Sequence, residues 1–471
     1  MPCLYSTVIK RKSQAKSVLS KNRMENSMSS LLKNKKITTI TLGCKVNQYE
    51  IDALQELLEQ AGAILCSNEE KADICIVNTC SVTNMADRKS RQMLHRAKKK
   101  NPNIIVVAMG CYVETAKETI KQDEYVDLVI GNNKKKDIVS ILEHYLDEKY
   151  EDEIETIIDI NATKEYETLS LTKVGEHTRA YVKVQDGCNQ FCTYCIIPYA
   201  RGRVRSRKKE DILTEVKQLV KNGYQEIVIT GIHISSYGID LEDTNLLDLL
   251  EALKEIEGLE RIRLGSLEPR IITEEFVKVI KENERICPHF HLSLQSGDNN
   301  TLKRMNRKYT KEEFTEKVAL LRSYYNLPAI TTDIIVGFPG ETKEEFLSTY
   351  EYLKEINLYE IHVFKYSKRT GTIAATMENQ VKEEEKTVRS NRLLELTREQ
   401  KEQYEASFVG KEVKVLTEET LEAEGNTYYI GHTPNYIKVL IKDNGQLKSN
   451  QIYSVTMTDE KIHDILVGTL V

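Results

Sequence analysis

The feature that most constrains this chain is a loop of three closely spaced cysteines. Cys188, Cys192 and Cys195 form a CxxxCxxC pattern directly after a predicted strand, YVKVQDG. Three thiolates in one loop can bind three irons of a cubane cluster and leave the fourth iron without a protein ligand. Such an open position is what a substrate or cofactor needs in order to bind a metal. The spacing therefore predicts a catalytic iron–sulfur cluster. The alternative, a zinc knuckle, needs a fourth ligand, and no His or Cys follows closely.

The composition agrees with an intracellular protein rather than a disulfide scaffold. Ten cysteines are spread over 471 residues, of which 30% are charged and 40% hydrophobic, and closely spaced cysteines in such chains are typically metal ligands or catalytic thiols. No apolar run approaches the length of a membrane helix, and the basic start lacks the apolar segment of a signal peptide. The net charge of −5 means that any RNA contact must come from local basic patches. We expect a cytoplasmic protein without a membrane partner.

The hydrophobic pattern predicts an α/β chain with three folded parts. Residues 37–146 alternate strands and helices, which is typical of a small domain with a parallel sheet. After an acidic stretch at 147–177, expected to be a linker or short hairpin, residues 178–407 contain six strand candidates separated by helices, which favours an open (β/α)6 barrel. Residues 408–471 hold five strand-like runs that predict a small all-β barrel. Residues 1–36 are Lys/Ser-rich and are expected to be a disordered basic extension; a start codon placed too far upstream and a targeting peptide are the alternatives.

A second set of three cysteines lies in the first of these parts. Cys44, Cys80 and Cys111 each end a predicted strand, in the sequences TLGC, VNTC and AMGC. Because the carboxyl ends of parallel strands meet at one edge of a sheet, these three thiols are expected to converge. They predict a second cluster with an open iron, whereas the alternative is that they are buried structural residues.

Several stretches resemble one enzyme family. LGCKVNQYE, NTCSVTNMADRKSRQ and a later GC are followed by CNQFCTYCIIPYARGRVRSR. Together they are similar to the radical-SAM methylthiotransferases over nearly everything from Ile37 to Val471. The variants CKVNQ, NTCSVTN and RGRVRSR resemble the MtaB branch, which methylthiolates carbon 2 of threonylcarbamoyladenosine next to the tRNA anticodon. The layout implied by the resemblance is an N-terminal cluster domain, a radical-SAM core and a C-terminal TRAM barrel.

The resemblance also implies a mechanism and its cofactors. They are two [4Fe-4S] clusters and S-adenosylmethionine (SAM), which binds the open iron of the Cys188/Cys192/Cys195 cluster and is split there to give a 5′-deoxyadenosyl radical. A second SAM methylates a sulfur species on the cluster of the other three cysteines. The clusters are thus expected to face each other across a base of the tRNA anticodon loop. A flavodoxin or ferredoxin is the expected electron donor, the sulfur donor stays open, and the enzyme is expected to be a monomer.

The resemblance also implies that six residues in the loops at the ends of barrel strands bind SAM, with an aromatic side chain against the adenine and a small-residue turn beside the methionine moiety. The alternative for each is an ordinary loop residue. They are Tyr194, Gly231, Ser266, Glu268, Gln295 and Asp333.

Two basic segments next to the cysteine loops are expected to contact the phosphates of RNA; the alternative is a solvated charged face. The C-terminal region, with six Lys against nine acids, gives no such indication. The expected RNA-binding residues are Arg201, Arg203, Arg205, Arg207 and Lys208 after the radical-SAM cysteines, and Arg88 and Arg91 on the helix after Cys80.

Three other functions compete with this interpretation. The same chemistry could act on isopentenyl-adenosine in tRNA or on a ribosomal protein. A chain of another class, an iron–sulfur RNA-binding or sensor protein without catalysis, would bind clusters but would not cleave SAM.

Overall fold

The computed structural model describes residues 30–147, 155–173 and 178–471. Its first part is a five-stranded parallel sheet in the order β2-β1-β3-β4-β5, with helices between the strands. The strands are β1 (Lys36–Thr41), β2 (Ile64–Leu65), β3 (Ile74–Thr79), β4 (Ile105–Gly110) and β5 (Leu128–Ile130). The helices are α1 (Lys45–Gln60), α2 (Asn84–Lys100), α3 (Cys111–Thr115), α4 (Lys117–Lys121) and α5 (Ile138–Leu146).

The central strands of this sheet are buried on both faces, which explains their continuous apolar sequences. Every residue of β3 is buried, as are five of the six residues of β4. The adjacent parallel strands β1, β3 and β4 end at the same edge, and the chain turns there into α1, α2 and α3. This edge carries the loops that contain Cys44, Cys80 and Cys111.

The second part is an incomplete barrel. Its strands are β6 (Arg179–Asp186), β7 (Arg205–Ser206), β8 (Glu226–Gly231), β9 (Arg261–Leu264), β10 (His289–His291), β11 (Ala329–Val336) and β12 (Glu360–Lys365). Its helices are α6 (Ile197–Ala200), α7 (Lys209–Lys221), α8 (Leu246–Lys254), α9 (Glu274–Glu282), α10 (Asn299–Arg304), α11 (Lys311–Tyr324), α12 (Lys343–Ile356) and α13 (Glu383–Ala406).

Six parallel strands line this barrel, which confirms the open (β/α)6 prediction. Strands β6, β8 and β9 pair in parallel, as do β10, β11 and β12, and single bridges such as Leu267 to Leu292 join the two groups. The short strand β7 adds an antiparallel edge to β6. Three helices begin with capping boxes, at Asn245, Thr310 and Thr342, so local sequence fixes where they start.

Two segments pack more tightly than the sequence suggested. Residues 1–29 of the expected disordered extension lie outside the described residues. Near its end, Leu32 is fully buried, and the backbone N–H of Asn34 donates to Gly62 O (2.8 Å). Within the expected linker, residues 155–173 form no helix or strand, yet Leu169 and Leu171 are buried. These apolar side chains fill the junction between the two parts of the chain.

The third part is a closed barrel in the strand order β13-β14-β15-β17-β16. Its strands pair in antiparallel fashion except β15 and β17, which are parallel. The barrel confirms the predicted small all-β part of the chain. Its strands are β13 (Glu412–Ala423), β14 (Asn426–His432), β15 (Lys438–Lys442), β16 (Ile452–Ile462) and β17 (Ile465–Leu470). In the described ranges, no helix is long and apolar enough to cross a membrane.

Two buried arginines attach this C-terminal barrel to the amino ends of the strands of the open barrel. Arg263 donates to Glu226 Oε1 (2.7 Å) and to Pro434 O (2.9 Å). Arg261 donates to Lys414 O and His432 O, both at 3.0 Å. Burial alone would raise the pKa of Glu226, but Arg263 and Arg261 hold it below its ordinary value. The attachment is therefore a desolvated ion-pair network, at the end of the strands opposite to the cysteine loops.

Replacing Arg263 should detach or destabilise this interface. In Arg263→Met, Glu226 keeps only the more distant Arg261, and a half-broken buried ion pair typically costs about 3–5 kcal/mol. Urea unfolding should show that loss. The double variant Glu226→Met/Arg263→Met should be less destabilised than Arg263→Met alone, because it leaves no buried charge unpaired. A double variant less stable than Arg263→Met would contradict this account of the interface.

Candidate active site

The loop after β6 holds Cys188, Cys192 and Cys195. It begins at Gly187, whose φ of +71° and whose Cβ position, only 1.9 Å from Arg203 O, admit glycine alone. The backbone N–H of Cys188 donates to Gly202 O (3.0 Å), and that of Cys195 donates to Cys192 O (3.0 Å). These contacts fold the three cysteines into one compact loop at the carboxyl end of β6.

The surroundings of this loop have two opposite effects on thiolate formation. Nη1 of Arg307 lies 3.1 Å from Cys192 Sγ, and its Nη2 donates to Ser293 O (3.1 Å). Burial, together with the charge of Cys192, raises the pKa of Cys195 to about 12, so the free thiol is protonated at neutral pH and metal binding must release its proton. Arg307 compensates part of the negative charge that results.

The other three cysteines converge at the edge of the first sheet. Cys44 precedes α1, Cys80 follows β3 and Cys111 begins α3. A Cβ on Gly43, which has a φ of +105°, would lie 2.9 Å from Cys80 Sγ, so the first cysteine loop passes directly over the second. Burial, together with the charges of Cys111 and Cys44, raises the pKa of Cys80 to about 11. The three thiols therefore share one environment.

The spacing of the sulfurs fits clusters better than a single zinc ion. Among the described residues, three ligand atoms that all lie within 4.8 Å of one another occur at His291, Asp333 and His362, and neither cysteine set is that compact. Tetrahedral zinc with bonds of about 2.3 Å would hold its sulfurs about 3.8 Å apart. A cubane spreads its ligands over separate irons, so wider sulfur separations suit it.

Arg201 connects the two cysteine sites. Its Nε donates to Cys111 Sγ (3.3 Å) and its Nη1 to Asp186 Oδ2 (3.1 Å), two residues before Cys188. Nη1 also donates to Glu50 Oε1 (2.7 Å). Glu50, on α1, further accepts from Lys135 (2.6 Å) and Lys183 (2.9 Å). The side chains of Arg201, Glu50, Lys135 and Lys183 are all inaccessible to solvent.

The pKa of Glu50 shows how strongly this network is coupled. Burial alone would raise it, but Arg201, Lys135 and Lys183 hold it well below the ordinary value. The carboxylate is therefore ionised in the fold.

This burial corrects part of the predicted RNA-binding set. Arg201, Arg205 and Arg207 are at most 2% exposed, so their guanidinium groups do not reach solvent-borne phosphates. Arg207 pairs with Glu215 (2.7 Å), and Arg205 donates to Arg203 O (3.0 Å). The arginine-rich run is a structural junction because its charges find partners inside the protein.

The remaining predicted RNA contacts lie at or near the surface. Lys208 and Arg88 are exposed. Arg203 is half-buried over the ring of Phe191 (4.6 Å), and Arg91 donates to Tyr112 Oη (3.0 Å).

A cavity of about 260 Å³ lies between the two cysteine loops. It is lined by Cys195, by three of the residues predicted to bind SAM, and by Val82 and Thr83 of the Cys80 loop. The three predicted residues are Tyr194, Gln295 and Asp333.

The other three residues predicted to bind SAM do not line this cavity. Gly231 ends β8, where a Cβ would lie 2.9 Å from Gln185 O. Ser266 is exposed after β9, and Glu268 is buried and accepts from Arg270 (2.8 Å).

Arg369 is a site residue that the sequence patterns missed. It follows β12 and reaches the Cys80 loop, where it donates to Asp87 Oδ2 (2.6 Å) and Ser81 Oγ (2.8 Å). The backbone N–H of Asn84 donates back to Ser367 Oγ (3.1 Å). These contacts join the end of the barrel to the Cys80 loop beside the cavity, and no local pattern around Arg369 indicates them.

Removing the carboxylate of Glu50 should loosen the junction between the cysteine sites. Glu50→Gln leaves Lys183 and Arg201 with Asp186 as their anion and removes the carboxylate that pairs with Lys135. Uncompensated buried charge typically costs about 3–5 kcal/mol. We expect that loss in urea unfolding, together with faster proteolysis within 155–173. The exposed Glu257 provides the control, and Glu257→Gln should change stability by no more than about 0.5 kcal/mol. Equal stability of the two variants would refute the role of the network.

Comparison with known proteins agrees with this site. Residues 182–353 match the radical SAM superfamily, and residues 36–131 match an uncharacterized protein family, UPF0004. The chain is 42% identical to the threonylcarbamoyladenosine tRNA methylthiotransferase MtaB of Bacillus subtilis, over 85% of this chain and 89% of that protein. It is 40% identical to a tRNA-2-methylthio-N(6)-dimethylallyladenosine synthase of Thermoanaerobacter pseudethanolicus, over 82% and 83% of the two chains.

Among solved structures, the radical S-adenosylmethionine methyltransferase TsrM of Kitasatospora setae shares the fold. Its TM-score is 0.53 at 14% identity, over 70% of this chain and 75% of that one. The sequence relationships, each extending over most of both chains, are closer. The chain belongs to the radical-SAM methylthiotransferase family.

Proposed function

We propose that this enzyme inserts a methylthio group at carbon 2 of N6-threonylcarbamoyladenosine next to the tRNA anticodon. The observation that carries the proposal is the cavity shared by both cysteine loops, which is lined by Cys195 and by Val82 and Thr83 of the Cys80 loop. A methylthio transfer needs two sites that act on one atom, and a cavity in contact with both cysteine loops supports such a reaction.

As a member of the radical SAM superfamily, the enzyme uses SAM and a [4Fe-4S] cluster, and we assign that cluster to Cys188, Cys192 and Cys195. We assign a second [4Fe-4S] cluster to Cys44, Cys80 and Cys111. When bound, these groups supply a carbon radical and a methylated sulfur, which together can replace a C–H bond that acid–base chemistry leaves untouched.

The residues of the chain position the reactants and keep water away. Tyr194, Gln295 and Asp333 provide an aromatic surface and polar groups for SAM inside the cavity. Phe364 and Val82, which are 49% and 51% exposed, add apolar surface to its walls. Apolar side chains exposed in a cavity are suited to stacking against a splayed-out base.

The tRNA substrate would bind through surface charges near the cavity. Lys208, Arg203, Arg88 and Arg91 stay in this proposal as phosphate contacts. We further expect a monomeric, cytoplasmic enzyme that receives electrons from a flavodoxin or ferredoxin.

The second candidate substrate is dimethylallyladenosine, because relatives named for that nucleoside reach 40% identity. Nucleoside mass spectrometry of total tRNA from cells lacking the gene, with and without its restoration, separates the candidates. We expect methylthio-threonylcarbamoyladenosine to disappear, its precursor to accumulate, and restoration to reverse both changes. An unchanged level of that nucleoside, with loss of the methylthio-dimethylallyl form, would overturn the proposal in favour of the second candidate.

Single cysteine replacements should separate the two half-reactions. Cys188→Ala should abolish formation of 5′-deoxyadenosine, because SAM loses its site of reduction. Cys44→Ala should still release 5′-deoxyadenosine but should form no methylthio product on tRNA. Cys287, which is buried outside both sets, provides the control, and Cys287→Ala should retain both activities. Methylthio product from either cysteine variant would remove that cysteine from the assignment.

A further inference from the structure

A cluster of polar residues, to which the proposed SAM site contributes Asp333, lies inside the open barrel. It begins with Lys45, the residue after Cys44 and the first of α1. Lys45 is exposed to solvent, but its ammonium interacts electrostatically with Tyr436, Arg179, Arg263 and Glu226. These residues belong to the barrel strands and the C-terminal barrel. The ammonium of Lys45 therefore lies within electrostatic range of the barrel interior.

Tyr436 of the C-terminal barrel forms the floor of this interior. Its ring stacks against the imidazoles of His289 and His432, with centroids 4.7 and 4.8 Å away. The guanidinium groups of Arg263 and Arg179 lie 4.7 and 5.2 Å from its centroid. The floor is thus a fixed aromatic and cationic surface.

Polar side chains from three neighbouring strands form one wall. His291, Asp333 and His362 lie on β10, β11 and β12, and their ligand atoms are all within 4.8 Å of one another. His291 Nε2 is 3.4 Å from Asp333 Oδ2. Because Asp333 also lines the cavity between the cysteine loops, the barrel interior is continuous with the active site.

The charges of this chamber leave one cation without an acidic partner. Arg263 is paired with Glu226 at 2.7 Å, and Arg179 with Glu418 at 3.1 Å. For Lys45, no hydrogen bond or ion pair is found among the described residues. An unpaired ammonium beside the active site is a ready partner for an anionic group of the substrate.

We propose that Lys45 binds the carboxylate of the threonylcarbamoyl group on the substrate base, which makes it a specificity residue; this rests on the proposed function. In adenine, N1 separates carbon 2 from the carbon that bears N6, so the N6 substituent lies on the same edge as carbon 2. A base that presents carbon 2 to the site of Cys44 therefore presents its N6 substituent to the residue next to Cys44. The imidazoles of His291 and His362 and the carboxylate of Asp333 are partners for the hydroxyl and urea groups of the same substituent.

This chamber disfavours the apolar dimethylallyl group. A substituent without hydrogen-bonding groups would displace water from the ammonium of Lys45 and give it no partner in return. Sites built to bind polar groups reject analogues that lack them for this reason. The chamber thus favours the first candidate substrate over the second.

The test uses anticodon stem-loop RNAs that differ only in the N6 substituent. One carries threonylcarbamoyl, one carries its methyl ester, and one carries no substituent. The reconstituted wild-type enzyme should prefer the carboxylate over the ester by at least about tenfold in kcat/KM, mainly through KM, since a charge-assisted hydrogen bond contributes about 1.5–3 kcal/mol. Lys45→Met should abolish this preference, and Lys45→Arg should retain part of it.

Two further measurements separate substrate binding from structural damage. Lys45→Met should keep the iron content of the wild type and its affinity for the RNA without a substituent. Lys278, exposed on α9, provides the matched control, and Lys278→Met should keep the wild-type preference for the carboxylate.

The outcomes distinguish this inference from the proposed function. If the wild type methylthiolates the threonylcarbamoyl RNA and Lys45→Met retains the preference, the role of Lys45 is refuted and the function stands. The inference is also refuted if the wild type has the same kcat/KM for the carboxylate and the ester. It is refuted as well if Lys45→Met loses iron or loses affinity for the RNA without a substituent. A wild type that leaves the threonylcarbamoyl RNA unmodified overturns both.

Discussion

The buried ion-pair network around Glu50 is the constraint on which the active site depends. Removing charges from water costs several kcal/mol for each ion, so Glu50 and Asp186 are stable inside the protein only while Arg201, Lys135 and Lys183 pair with them. The partners come from both the first sheet and the open barrel, and a small separation of the two parts would leave ions unpaired. The network therefore favours one relative position of the two cysteine sites, and Arg201 extends it to the sulfur of Cys111.

Buried ion pairs also hold the parts of the chain together at the other end of the open barrel, where the C-terminal barrel is attached. Glu226 and two arginines attach the C-terminal barrel by its backbone carbonyls, and this attachment does not depend on the net charge of that barrel. The excess of acidic residues in 408–471 is compatible with a docking role. By carrying Tyr436 into the interior of the open barrel, the C-terminal barrel also contributes to the proposed substrate chamber.

The sequence predicted the elements that local patterns encode. Strand-end cysteines were expected to converge because parallel strands end at one edge, and the structure brings Cys44, Cys80 and Cys111 together there. The arginines failed for a physical reason: a run such as RGRVRSR shows charge but not burial. The partner of Arg201 is Glu50, 151 residues away, and no local pattern connects the two. The sequence shows Lys45 only as part of the CKVNQ motif. Its proposed role in substrate binding depends on the Tyr436 floor, which comes from the far end of the chain and could not be predicted locally.

Iron analysis with Mössbauer spectroscopy after anaerobic reconstitution tests most directly whether the two separate three-cysteine sites each bind a cluster. We predict about eight irons per chain in the wild type, and about four in either triple variant, Cys44→Ala/Cys80→Ala/Cys111→Ala or Cys188→Ala/Cys192→Ala/Cys195→Ala. The spectra of the two variants should add up to that of the wild type. About four irons in the wild type, or a complete loss of iron in one triple variant that remains folded, would contradict two independent sites.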